Sequence, residues 1–288
     1  MHGEKNWFIS DLDGTLLGNL GVLTGFSKNK LDILLKQGFL FSVASARSLQ
    51  RIREALGDLP LSLPVIQLNG GIVSDYKTNQ IFKVVDMEYP LISDIFSILA
   101  KMEVQFIATG IRNDEGKKDF CLLPEKQNKP LRAFYEDRLK NRDNRVIVGE
   151  ANKEIINECV VSLTLCDLRE KMEKALLVLR EEFSTKLDIC PMGMPTNEWA
   201  WCTVQSKNAT KGEALRFIAD HCGLDILKAT VFGDELNDLP MFERAGCSIA
   251  PKNAISEIKE KANHIIDYHH QDSVAKYLWD AALNTVKK

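Results

Sequence analysis

Trp7-Phe8-Ile9-Ser10-Asp11-Leu12-Asp13-Gly14-Thr15 passes from a short apolar run straight into two carboxylates and a glycine. The run is too short for a helix and shows no polar alternation, so it predicts a buried strand; the acidic, glycine-bearing tail predicts the loop that follows. Ser27 is expected to cap a helix carrying Leu31, Leu34 and Leu35 on one face, stopped by Gly38. Residues 39–44 read as a second buried strand, 48–56 as a helix closed by Gly57, and 65–68 as a third strand before the turn Asn69-Gly70-Gly71. Strands alternating with helices predict an α/β fold: a doubly wound, mostly parallel, Rossmann-like sheet. Ligands bind outside the carboxyl ends of the strands of such a sheet.

The pattern changes after a hairpin over 72–74 and 80–84. Residues 91–102 and 131–140 read as helices, and 104–109, 146 and 160–165 as strands. Leu168, Met172, Ala175, Leu176, Leu179 and Phe183 form an amphipathic helical stripe. A hairpin over 186–190 and 198–204 turns at Gly193-Met194-Pro195-Thr196-Asn197. The alternation of strand and helix resumes near Thr210: a helix over 213–222, a strand over 229–232 ending at Gly233-Asp234, a helix near Asp238, a short strand over 247–250 and a last helix over 273–285. The expected organisation is a catalytic core from 1–85 and 205–288, with an α+β domain inserted over 86–204.

The 288 residues carry a net charge of −3, which gives no basic footprint for nucleic acid. Seven scattered cysteines without a C-x-x-C pair argue against a disulfide framework or a zinc site and fit a reducing cytoplasm. The polar stretch 1–6 lacks the apolar core of a secretion signal, and no apolar run approaches the roughly 20 residues of a membrane helix. His269-His270 reads as an exposed loop pair rather than a metal site.

Four elements carry chemistry. Asp11 and Asp13 share one loop; one carboxylate can attack phosphorus while the other protonates a leaving alkoxide and later activates water. A divalent cation, Mg²⁺, is needed beside them, because a carboxylate and a phosphate otherwise repel. An EF-hand fails on spacing, since its sixth position falls on Leu16 and its twelfth on Val22. Ser45 follows the second strand, where a hydroxyl and backbone N–H groups hold phosphate or simply cap a helix. Lys211-Gly212 opens a helix and can neutralise both phosphate and carboxylate, although lysine is more often a solvated surface residue, and Lys207 is a rival. Gly233-Asp234-Glu235-Leu236-Asn237-Asp238 is an acidic loop suited to a hard cation, or to capping the next helix. Each signal is ordinary alone; their order, all after expected strands of one open sheet, gives them force.

Those residues, with Asn69-Gly70-Gly71, resemble the haloacid dehalogenase-like phosphatases over nearly the whole chain, specifically the Cof-type group with a large C2-type cap. The resemblance implies Asp11 as nucleophile and Asp13 as general acid and base. It implies Mg²⁺ held by Asp11, the backbone carbonyl of Asp13, and Asp234, with Asp238 completing or orienting the shell. Ser45, the neighbouring Ala46 and Lys211 would grip the phosphate, Asn69 and Gly70 would face the substrate, and Asn237 would position Lys211 or the phosphate. The substrate implied is a small phosphorylated metabolite, best a sugar phosphate, and the cap would close over it and exclude water. Two positions depart from the family pattern: Ala46 stands where glycine is usual, before Arg47, and Glu235 where small residues are common. In the cap, the alternation of Trp199, Trp201 and Thr203 with Ala200, Cys202 and Val204 reads as a strand with one buried face; a Trp laid against the substrate is the sharper alternative. Arg112, Asn113, Asp114 and Glu115 read as a solvated turn, or as a polar loop that reaches the site. Two rival functions share the scaffold: a phosphosugar mutase or other phosphotransferase, and a non-catalytic phosphometabolite sensor. A receiver domain is excluded, because Gln67-Leu68-Asn69 offers no phosphoacceptor carboxylate.

Overall fold

The computed structural model describes residues 5–113, 118–155, 157–192 and 198–286. In chain order the first segment comprises β1 (Trp7–Ser10), α1 (Gly25–Lys36), β2 (Phe41–Val43), α2 (Leu49–Leu56), β3 (Val65–Gln67), β4 (Ile72–Ser74) and β5 (Ile81–Val84). There follow α3 (Tyr89–Lys101), β6 (Phe106–Ile111), β7 (Asp119–Leu123), α4 (Lys129–Lys140), β8 (Val146–Val148), α5 (Ala151–Glu154), β9 (Cys159–Leu168), α6 (Arg169–Phe183), β10 (Leu187–Met192) and β11 (Trp199–Ser206). The last segment holds α7 (Lys211–Cys222), β12 (Ala229–Phe232), α8 (Leu239–Phe242), β13 (Cys247–Pro251), α9 (Ser256–Lys261), β14 (His264–Ile266) and α10 (Ser273–Val286). The chain divides into two compact units, Met1–Val84 with Thr210–Lys288, and Val85–Ala209. The second break falls at Thr210 because β11 runs on to Ser206 and the buried Gln205 amide donates to the Ala209 carbonyl at 2.6 Å.

The first unit is the expected parallel α/β sheet, in the order β14-β13-β12-β1-β2. Both faces are covered, which is why its strands read as continuous apolar runs. Phe8, Phe41, Phe232 and Ile249 pack against Leu31 and Leu34 of α1, Ile52 of α2 and Leu278 of α10. Trp7, Ile9, Val231 and Ala250 pack on the other side against Leu215 and Ile218 of α7, Met241 of α8 and Ile258 of α9. The antiparallel ribbon β3-β4-β5 joins the edge through a single parallel bridge from Ala44 to Ile66.

Three local expectations are corrected. Thr24, not Ser27, caps α1: its extended backbone breaks the helix, and its hydroxyl accepts from the Ser27 N–H at 3.1 Å. Lys211 follows no strand of the core sheet, since β11 belongs to a different sheet; the first turn of α7 presents it, capped by Thr210. Leu168 ends β9 and is 38% exposed, so the stripe on α6 begins at Met172.

The second unit is a six-stranded sheet, β10-β11-β9-β6-β7-β8, antiparallel except for the β7–β8 pair. One face packs on α3 and α6 through Ala108, Leu163, Leu165, Cys202 and Val204. On the other face Ile107, Cys121, Leu123 and Cys166 pack with Leu131 of α4, and Trp201 lies half-buried against them. Trp201 thus serves a second apolar cluster of this unit. Arg112 is held by Glu158, Nη1 to Oε1 at 2.9 Å. Asp114, Glu115 and the turn over 193–197 lie outside the described residues.

Candidate active site

Asp11 sits where β1 ends, its N–H still paired with the Phe232 carbonyl at 2.9 Å. That ladder aims its carboxylate out of the sheet's carboxyl edge. β12 ends on the same edge and delivers Asp234. A tight turn then brings Asp238 back under it: Asp238 Oδ2 accepts from the N–H groups of Asp234 at 2.9 Å and Glu235 at 3.2 Å. Glu235 accepts in return from the Asp238 N–H, so the residue at the departure from the family pattern closes a capping box. The nearest carboxylate oxygens of Asp11, Asp234 and Asp238 lie within 4.8 Å of one another, and all three residues are buried.

Lys211 enters this cluster fully buried. Its Nζ donates to Asp11 Oδ1 at 2.7 Å and to Asp238 Oδ1 at 2.6 Å. Close approach of α7 makes this possible, and Gly70 permits it: at φ +100°, a Cβ there would come within 2.2 Å of the Thr210 carbonyl oxygen. Lys207, the rival, is exposed in the other unit and donates to the Ser184 carbonyl. Thr15 Oγ1 donates to Asp234 Oδ1 at 2.6 Å. Gly14 is equally constrained, because at φ +74° a Cβ would meet Asp234 Oδ2 at 2.1 Å.

Burial dominates the electrostatics. It pushes the Asp11 carboxyl well above its ordinary pKa; Lys211 opposes this, while Asp238 and Asp234 add to it. Asp234 is pushed up to about 6 by burial, against the Thr15 hydrogen bond and with the Asp238 charge. Burial works against the Lys211 ammonium, yet the two carboxylates outweigh it and hold its pKa above the usual lysine range. Three carboxylates thus face one ammonium, and burial raises the pKa of two of them. A hard divalent cation relieves that crowding, and an all-oxygen donor set suits Mg²⁺ better than a soft metal. Asp238, with Oδ1 on Lys211 and Oδ2 on two N–H groups, is placed to orient the others.

Ser45 is buried beside the cluster's loops. Its carbonyl accepts from the Asn69 N–H at 3.0 Å, and its hydroxyl accepts from the Arg47 N–H at 3.2 Å. Ala46 does not have a positive φ, so alanine costs the loop no strain there. Asn237 reaches Asn69 rather than Lys211, Nδ2 donating to Oδ1 at 3.0 Å, and its own Oδ1 is buried without a partner. The Asp13 side chain stands outside the buried group. It is 57% exposed and paired with Arg47, whose Nε donates to Oδ2 at 2.8 Å and Nη2 to Oδ1 at 2.5 Å. Sequence reading assigned no role to Thr15 or Arg47; both lie inside the quoted motifs, but their partners are set by tertiary placement.

A family model described as haloacid dehalogenase-like hydrolase matches residues 8–278. Among curated relatives, a 5-amino-6-(5-phospho-D-ribitylamino)uracil phosphatase of Bacillus subtilis is 25% identical, with 93% of this chain and 95% of the relative covered. A phosphoglycolate phosphatase of Methanopyrus kandleri is 24% identical, with 94% of each chain covered. Among solved structures, TM0651 of Thermotoga maritima superposes with a TM-score of 0.75 at 22% identity, covering 96% of this chain and 97% of the other. The subclass IIB sugar phosphatase BT4131 gives a TM-score of 0.74 at 18% identity, covering 96% and 99%. At such identities these superpositions speak for the fold.

Proposed function

The chain belongs to the haloacid dehalogenase-like hydrolases, and from that membership and the buried charge cluster we propose a Mg²⁺-dependent phosphomonoester hydrolase that works through an aspartyl-phosphate on Asp11. One observation carries the reading: three buried carboxylates within 4.8 Å of one another, with the Lys211 ammonium 2.7 Å from the Asp11 oxygen. The net negative charge of such a site calls for a divalent cation, and with that cation and Lys211 in place an anionic phosphate can approach Asp11.

Asp11 attacks phosphorus, and the P–O bond to the alcohol breaks. Asp13, released from Arg47 and protonated from solvent, gives that proton to the leaving oxygen. Asp13 then takes a proton from water, which attacks the acyl phosphate, releases inorganic phosphate and restores Asp11. To serve, Asp13 must loosen at least one of its bonds to Arg47. Lys211 offsets charge on Asp11 and on the phosphoryl oxygens, and the Ser45 hydroxyl with the backbone of Ala46 holds a phosphate oxygen. Asp11, the Asp13 carbonyl and Asp234 would hold Mg²⁺, which supplies charge neutralisation between carboxylate and phosphate.

The substrate proposed is a small sugar or polyol phosphate; the names of the Bacillus relative and of BT4131 support that class. Selectivity is assigned to the inserted unit, 85–209. Seven free thiols favour a reducing cytoplasm, and no described helix is long and apolar enough to cross a membrane.

The test is a panel of phosphomonoesters assayed with Mg²⁺ against Asp11→Asn. Release of inorganic phosphate without a bisphosphate activator is expected, and Asp11→Asn loses at least about a thousandfold in kcat. Phosphate moved only between substrate hydroxyls would make the chain a mutase, and full turnover by Asp11→Asn would refute the nucleophile.

A further inference from the structure

The loop from Asp13 to Leu17 is held from outside by the C-terminal part of the same unit. Asn253 Nδ2 donates to the Gly14 carbonyl at 2.7 Å. The Asn253 Oδ1 accepts in turn from the backbone N–H of His269 at 3.0 Å. His269 Nδ1 lies 2.8 Å from the Leu17 carbonyl oxygen. A carbonyl only accepts, so Nδ1 carries the hydrogen. Three residues on, Asp272 stands at φ +59° and its Oδ1 accepts from the hydroxyls of Thr24 and of Ser27, the latter at 2.7 Å. Residues on either side of α9 and β14 therefore grip the catalytic loop at Gly14, at Leu17 and at the start of α1.

We propose that Asn253 and His269 are positioning residues for Asp13, acting through the Gly14 and Leu17 carbonyls. The reasoning is geometric. Gly14 directly follows Asp13 at φ +74°, and without a Cβ its ψ is weakly restrained, so a bond to its carbonyl helps fix the peptide between Gly14 and Thr15. Inside the loop the Leu17 N–H closes onto the Leu12 carbonyl at 2.9 Å, and the Thr15 hydroxyl ties to Asp234. Those bonds fix the far side of the loop. The Gly14 and Leu17 carbonyls are bonded instead by Asn253 and His269. A hydrogen-bonded carbonyl at Gly14, one residue past Asp13, and another at Leu17 fix the backbone beyond Asp13 and so limit how far the Asp13 side chain can swing. Asp11 needs no such help, because the β1–β12 ladder already holds it.

The inference rests on the reading of Asp13 as the acid that protonates the leaving oxygen. It separates from that reading by leaving group. p-Nitrophenolate departs without a proton; an alkoxide does not. Asn253→Asp keeps the acceptor for His269 but sets a carboxylate oxygen against the Gly14 carbonyl. His269→Leu removes the donor to Leu17, whereas His269→Asn restores an N–H near the position of Nδ1. With an alkyl phosphate from the substrate panel, Asn253→Asp and His269→Leu should lose about 10- to 100-fold in kcat, with KM changed less than about threefold. With p-nitrophenyl phosphate the same variants should lose less than about threefold, and His269→Asn should approach wild type on both. Hydrogen exchange of the amides over residues 12–17 should quicken in Asn253→Asp and His269→Leu alone. Equal losses on both esters, no loss, or unchanged exchange would overturn the inference. Asp13→Asn is the reference: if it shows the leaving-group-selective loss and Asn253→Asp and His269→Leu do not, the positioning role fails and the acid stands. If Asp13→Asn shows no selectivity, the acid itself is misassigned and the inference falls with it.

Discussion

Asp11 and Asp13 are separated by one residue, yet they sit in opposite surroundings. Asp11 is buried with Asp234, Asp238 and Lys211, where water is excluded and every charge needs a partner. Asp13 lies on the rim, more than half exposed, paired with the partly buried Arg47. The same carboxyl chemistry is thereby split into two jobs: a fixed group that meets phosphorus, and a movable one that exchanges protons with alcohol and water. Interactions in the buried region are strong because the dielectric is low; those at the rim are weak and can be broken during turnover.

That contrast can be broken first at Lys211. Lys211→Met removes the one cation from a cluster of buried carboxylates, and it should destabilise the Mg²⁺-free protein by about 3–5 kcal/mol in chemical denaturation. A cost below about 1 kcal/mol would mean the cluster is more solvated than its burial suggests. Acidification sharpens the contrast next. With Asp234 pushed up to about 6 and Asp11 raised as well, both are ionised and ready for a cation only at higher pH. Below about pH 6 protons compete, and Mg²⁺ affinity, read from the cation-induced rise in Tm, should weaken by at least about tenfold per pH unit. A pH-independent rise between pH 5 and 8 would place the cation elsewhere. Arg47→Met should have the smallest effect on stability, under about 1 kcal/mol, because its partner is exposed. A larger loss would show the rim pair to be structural and Asp13 less movable than described.

Much of the fold was legible because parallel strands covered on both faces leave long apolar runs such as Trp7-Phe8-Ile9. The acidic loops were legible because Asp11 and Asp234 each follow a short apolar run, a local cue; that the two strands are neighbours is set by the tertiary fold. What sequence misplaced depends on contacts between distant residues or on competing caps. Thr24 and Ser27 are both good caps, and only the extended backbone at Thr24 decides between them. In sequence Lys211 groups with the residues that follow strands of the open sheet, although the strand before it, β11, pairs with β9 and β10 in the other sheet. His269 looked solvent-facing, and its bond to Leu17 spans 252 positions, beyond the reach of any periodicity. Arg47 and Asp13 meet across 34 positions in the same way.

The central claim is that Asp11 carries the phosphoryl group, and chemical trapping reads it directly. Enzyme mixed with a turned-over phosphomonoester and Mg²⁺, quenched in acid and reduced with borohydride, should yield homoserine at position 11 in peptide mass mapping, and none in Asp11→Asn. Modification at another carboxylate, or none while phosphate is still released, would contradict it.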